Sequence, residues 1–127
     1  MKRAVLAIRN RLVLEAVTNA LKRAGFFVEK SSSQEPERIL TLTNALAATN
    51  LVMDVTRSGD GTFDMRMNTS REARRRNPEI KIALLCDNVS DESSAYKVKC
   101  AKEDGSIDAF FYESVPSDYL ADAIDAL

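Results

Sequence analysis

The sequence predicts a three-layer α/β domain, a five-stranded parallel sheet with helices on both faces. Three observations predict it. Short apolar runs and longer amphipathic stretches alternate along the chain as five strand-helix units, with no internal repeat. The runs at residues 4–8, 51–55 and 80–86 are almost continuously apolar, the pattern of strands covered on both sides. Each amphipathic stretch is long enough to carry a right-handed crossover back onto the sheet.

The first strand is expected at residues 4–8, and Asn10 is suited to cap a helix over residues 11–24, whose Val13, Val17, Ala20, Leu21 and Ala24 share one face. Gly25 ends it. Residues 26–28 form a second strand, and the serines 31–33 lead to a helix entered through Pro36, with Ile39, Leu40, Leu42, Thr43, Leu46 and Ala47 on its apolar side. The third strand covers residues 51–56. Residues 57–62, with two glycines among polar neighbours, read as a floppy loop without the ending of a phosphate-binding motif. A third helix runs over about Phe63–Arg76, with Met65, Met67 and Ala73 as a thin apolar contribution and Pro78 just beyond. Residues 80–86 form the fourth strand. Ser90 or Asp91 caps a helix through Tyr96, Val98 and Ala101 that stops at Asp104 and Gly105. Residues 107–112 form the fifth strand, and Pro116 opens a last helix bearing Tyr119, Leu120, Ala123, Ile124 and Leu127.

Composition narrows the function classes. Residues 1–127 are the size of one domain with one core, either complete or the N-terminal part of a longer protein. A formal net charge of -1 provides no overall field toward nucleic acid or anionic lipid. The basic run Arg71, Arg74, Arg75 and Arg76 reads as a solvated helix end, where cations oppose the macrodipole. No apolar run approaches the roughly 20 residues of a membrane helix, and the N-terminal run meets Arg9 and Arg11 too soon for a signal peptide. A cytoplasmic protein is the simplest expectation. The chain has no His, and Cys86 and Cys100 are isolated thiols without zinc-ligand spacing, so no metal, no cofactor and no enzymatic activity are expected.

One carboxylate stands out. Asp54 sits among Leu51, Val52, Met53 and Val55, where a strand end delivers it to the rim of the sheet, the place where parallel α/β folds keep their ligand chemistry. The structural alternative is an Asp that ends a strand and bonds the following turn.

The order of elements and the place of Asp54 resemble the receiver domain of bacterial two-component response regulators, a CheY-like, flavodoxin-like fold with strand order 2-1-3-4-5. The segments that carry the resemblance are residues 21–28, 51–55, 77–85 and 107–112, and together they run along nearly the whole chain. The resemblance implies that the Asp at position 54 accepts a phosphoryl group, that an acidic pair after strand one helps bind Mg²⁺, and that a hydroxyl after strand four and a Lys after strand five complete the pocket. Here the acidic pair falls on Ile8 and Arg9, the hydroxyl on Cys86, the Lys on Glu113, and the aromatic switch position on Phe110. Only Asp54 is retained.

A degenerate receiver, or pseudo-receiver, is therefore expected: a phosphorylation-independent interaction module, with a regulator of transcription as its parent if further domains follow. Arg9 is positioned to stand where the metal would be, its planar fork reaching Asp54, Glu113 or both. The competing expectation is that Arg9 points to solvent in a decayed pocket. The resemblance places the partner face on helix four, strand five and helix five, with Tyr96, Lys97, Lys99, Phe111, Tyr112, Asp118 and Tyr119, for a protein partner, an output domain of the same chain or a second copy. No direct nucleic-acid contact and no membrane contact are expected. The alternatives are a phosphoacceptor that uses Asp54 with atypical chemistry, and a flavodoxin-like domain that binds a small ligand near Arg9 and Asp54.

Overall fold

The computed structural model describes residues 1–87, 89 and 91–127. The elements in chain order are β1 (Arg3–Ala7), α1 (Arg11–Arg23), β2 (Phe27–Lys30), α2 (Pro36–Leu46), β3 (Asn50–Asp54), α3 (Phe63–Arg76), β4 (Lys81–Cys86), α4 (Glu92–Glu103), β5 (Ala109–Tyr112) and α5 (Ser117–Asp125), with a 3-10 turn (Gly59–Gly61) between β3 and α3. All pairings are parallel, and the sheet order is β2-β1-β3-β4-β5, the fold and order that the sequence predicts.

The pleat of the sheet divides the core. Val5, Ala7, Leu51, Met53, Ile82, Leu84 and Cys86 point to the side covered by α2, α3 and α4. Ala4, Leu6, Val52, Ala83, Leu85, Ala109 and Phe111 point to the side of α1 and α5. This two-sided burial is why the central strands are continuously apolar in sequence. The edge strand β2 lacks that pattern: Phe27, Glu29 and Lys30 are exposed, and pairing begins at Phe27 while Phe26 is buried in the core ahead of the strand. Similarly, β5 starts at Ala109, because Asp108 is used as a clamp: its N–H donates to the Ile82 carbonyl at 2.9 Å and its carboxylate accepts the Ile82 N–H at 2.8 Å.

The helix ends follow local chemistry. Asn10 caps α1 by accepting from the N–H groups of Leu12 and Val13, and Asp91 caps α4 by accepting from Ser94 N–H. Ser90, the other candidate for that cap, lies outside the described residues. Ala47 is not on the apolar face of α2; it is the left-handed cap residue, with φ 51°, and is exposed. Among the described residues no helix is long and apolar enough to cross a membrane.

Residues 57–62 depart from the expected floppy loop. The turn is tied down because Thr56 N–H donates to the Gly61 carbonyl at 2.7 Å and the Thr56 hydroxyl donates to the Ser58 carbonyl at 3.1 Å. Gly61 is buried, and a Cβ there would overlap the Thr56 hydroxyl and lie 3.4 Å from Nη2 of Arg66. The glycine is thus required by close approach, not by a positive φ. Gly61→Ala is expected to destabilise the domain by about 1–3 kcal/mol, the usual cost of overpacking, whereas a polar replacement at exposed Arg57 stays within about 0.5 kcal/mol. Urea melts of the two variants measure the difference.

Candidate functional site

Asp54 ends β3 at the C-terminal edge of the sheet, directly beside Leu85 of β4, and is only 1% exposed. A carboxylate so far from water is costly unless paired and hydrogen-bonded. Here both oxygens are engaged. Oδ2 accepts the main-chain N–H of Arg9 at 2.9 Å, and Oδ1 pairs with Nη2 of Arg66 at 3.0 Å.

Arg66 corrects the expectation placed on Arg9. The guanidinium beside Asp54 comes from the end of the first turn of α3, not from the loop after β1. The Arg9 side chain is exposed and forms no ion pair among the described residues; only its backbone reaches the carboxylate. Arg66 is wholly buried. Its Nε donates to the Asp54 carbonyl at 2.7 Å, and Nη2 donates to the Ala7 carbonyl at 3.0 Å and to Oε1 of Gln34 at 2.6 Å. Nη1 is buried without an acceptor among the described residues. Burial pushes the arginine pKa down and Asp54 pushes it up; an arginine stays charged in a protein. One guanidinium thus links β1, β3, α3 and the segment before α2.

The chain positions Arg66 through its helix. Thr62 caps α3, its hydroxyl accepting from Met65 N–H, and Arg66 N–H donates to the Thr62 carbonyl at 2.9 Å. Arg66, Ser70 and Ala73 follow at helical spacing on the buried face, and the Ser70 hydroxyl is satisfied by the Arg66 carbonyl.

The mouth above Asp54 is an open cleft of about 400 Å³ lined by Arg9, Asn10, Thr56, Arg57, Asp87, Asp91 and Glu113. Asp87 was not among the sequence candidates, although it directly follows Cys86. Glu113 stands half-buried at the start of the turn after β5, its N–H donating to the Cys86 carbonyl at 3.0 Å. It is not neutralised by Arg9: burial, with Asp54 and Asp87 nearby, holds its pKa above the ordinary glutamate value. Ile8 is a core residue, 3% exposed. Cys86 faces the sheet interior, its thiol donating weakly to the Phe111 carbonyl at 3.7 Å, and burial raises its pKa to about 11. Phe110 is half-buried and packs edge-on against Tyr112, with ring centroids 5.8 Å apart.

Of the expected partner face, Tyr96, Lys97, Lys99, Asp118 and Tyr119 are exposed and Tyr112 is half-buried. Tyr96 and Lys97 line a groove of about 480 Å³ between α3 and α4, and Asp118 pairs with Arg23 of α1 at 2.7 Å. Phe111 does not belong to that face. Strand alternation turns it inward under α1 and α5, where it is 8% exposed.

The residues present do not fit Mg²⁺. That ion demands a near-octahedral set of hard oxygens. Both Asp54 oxygens are already engaged, Ile8 presents a hydrocarbon, and among the described residues no three acid, His or Cys side chains gather to hold a metal.

No protein-family model and no curated protein sequence matches this chain. Solved structures do. The response regulator TrrA from Thermotoga maritima, in complex with Mg²⁺-BeF, is 17% identical over 99% of this chain and 98% of that one, with a TM-score of 0.73. The chemotaxis protein CheY4 of Vibrio cholerae is 15% identical over 99% and 98%, with a TM-score of 0.75. A CheY-like protein, tadZ, from Pseudomonas aeruginosa is 16% identical over 99% and 98%, with a TM-score of 0.71. The fold is that of the CheY-like receiver domains.

Two outcomes are expected from this geometry. Arg66→Met should destabilise by about 3–5 kcal/mol by leaving a buried charge unpaired, whereas Arg66→Met with Asp54→Leu should cost far less than the two single changes added. Arg9→Ala should stay within about 0.5 kcal/mol, because its contact to Asp54 is made by the backbone. Denaturant melts of the cycle measure both. The second outcome concerns Glu113, whose raised pKa means that the folded state holds the proton more tightly than the unfolded state does. Its contribution is present below the ordinary glutamate range and is lost as pH rises through the folded pKa. Glu113→Gln should therefore be more stable than the parent at pH 7, and that advantage should vanish in melts at about pH 4.

Proposed function

We propose that this domain is a pseudo-receiver: a signal-transduction module of the two-component type that acts by binding protein and not by accepting a phosphoryl group. The observation that carries the reading is the buried pair of Asp54 and Arg66, because it engages the one side chain that phosphoryl transfer would need as nucleophile. In-line transfer to Asp54 requires a free carboxylate oxygen and cations on the transferring oxygens. Oδ1 is held by Arg66 and Oδ2 by the Arg9 amide, so neither oxygen of the nucleophile is left open to the mouth. The positions that would relay such an event are also chemically muted. Cys86 is a poor hydrogen-bond donor turned inward, and Phe110 has no hydroxyl.

The fold neighbours lend the signalling context, since proteins described as response regulators and CheY-like proteins share this architecture. On this reading the chain is a non-enzymatic, cytoplasmic regulatory domain that engages a protein partner, an output domain or a second copy through the exposed parts of α4 and α5 around Tyr96, Lys97, Lys99 and Tyr119. Incubation with a small phosphodonor and Mg²⁺ should leave the intact mass unchanged. A phosphoryl adduct that disappears in Asp54→Asn would establish the phosphoacceptor alternative instead.

A further inference from the structure

We infer that the Arg66 side chain is the resident cation of this domain: the oxygen cage under Asp54 is a cation site filled from within the chain, closed to an external divalent ion. Three oxygen-bearing segments converge on one guanidinium. They supply the Asp54 carbonyl at 2.7 Å, Asp54 Oδ1 at 3.0 Å, the Ala7 carbonyl at 3.0 Å and Gln34 Oε1 at 2.6 Å. None of these oxygens belongs to the helix that delivers the arginine.

The cage fits charge and shape together. An apolar side chain in the same space would leave the buried Asp54 carboxylate without its cation and take a donor from the Asp54 and Ala7 carbonyls and from half-buried Gln34, a costly arrangement for a low-dielectric interior. A lysine would bring a point charge on a shorter stem, and its ammonium cannot reproduce the planar fork that contacts β1, β3 and Gln34 at once. Mg²⁺ is too small for the space. It needs oxygens at about 2.1 Å in a tight octahedron. The small residue at Gly61 keeps the approach to Nη2 open.

The consequence deepens the pseudo-receiver reading and rests on it for its meaning: the domain carries permanently the cation that a receiver would acquire, so neither metal nor phosphoryl donor changes its state. Regulation then enters by contact with another surface.

Thermal melts of the full chain test this. Added MgCl₂ should leave the Tm of the parent unchanged relative to NaCl of equal ionic strength. Arg66→Ala, which empties the cage, should melt lower, and methylguanidinium at concentrations too low to affect the parent should raise its Tm. That rescue should disappear in the Arg66→Ala, Asp54→Ala double variant. Mg²⁺-dependent stabilisation of the parent that Asp54→Asn abolishes would overturn the inference, as would an Arg66→Ala protein indifferent to methylguanidinium. If Arg66→Ala does not fold, the parent alone decides. Amide NMR signals of Arg9, Asp54 and Glu113 that stay sharp with Mn²⁺ support the filled cage, and selective broadening of those signals refutes it. The two readings fail separately. Mg²⁺ stabilisation without a phosphoryl adduct removes the resident cation and leaves the pseudo-receiver, while an adduct formed without divalent cation does the reverse.

Discussion

A charged carboxylate at the buried end of the central strand is the constraint on which the rest of this site depends. Asp54 ends β3, flanked by β1 and β4, and water reaches almost none of it. In a medium of low effective dielectric such a group must be compensated within a few ångströms. The chain compensates it with a guanidinium carried by the next helix. That choice fixes more than a charge, because the same fork also ties down the ends of β1 and β3 and the segment leading into α2. It also explains the tight turn before α3: the close approach of Gly61 to Thr56 and Arg66 brings the helix start over the strand end.

The fold was legible in the sequence because burial on both faces leaves an unmistakable trace. Apart from Asp54 and Lys81, residues 51–55 and 80–86 are apolar without alternation, the pattern of short strands covered on both faces. Edges were harder to read. At β2 one face is solvated and the strand is short, so Glu29 and Lys30 look like loop residues. Residue 111 shows the opposite difficulty. Three consecutive aromatics, Phe110, Phe111 and Tyr112, look alike in sequence, yet the period of two sends the middle one under α1 and α5 and leaves its neighbours on the α4 side.

The counter-ion was misplaced for a related reason. Proximity in the loop made Arg9 the natural candidate, but a residue immediately after a strand already has its backbone at the rim, and the backbone N–H reaches the carboxylate first. The side chain is then left to solvent. Arg66 was hidden in a mostly polar stretch, between Met65 and Met67 and with four further arginines after it. A signal was present. The buried face of α3 needs residues at spacing of three and four, and counting back from Ala73 gives Ser70 and then Arg66, two polar positions where a core helix would have apolar ones. A helix whose inward positions are polar must be satisfying something buried, and Asp54 was the only carboxylate that the sequence placed inside.

The pairing changes what the cleft above the strands can do. In an open-ended α/β sheet the mouth at the strand ends is where ligands meet charges of the protein. Here the cation lies beneath the mouth, against the strand ends, while Asp87, Asp91 and Glu113 line the opening. Glu113 is the member that shows the tension, since its proton is held more tightly than usual in the company of Asp54 and Asp87. Arg9 and Arg57 line the same opening and sit exposed, where solvent screens them as they moderate that field. The carboxylate at the floor is committed to Arg66 and the acids at the rim repel one another. On the proposed reading, such a mouth is a structural keystone, and the parts of the surface left to carry recognition are the exposed side chains of α4 and α5.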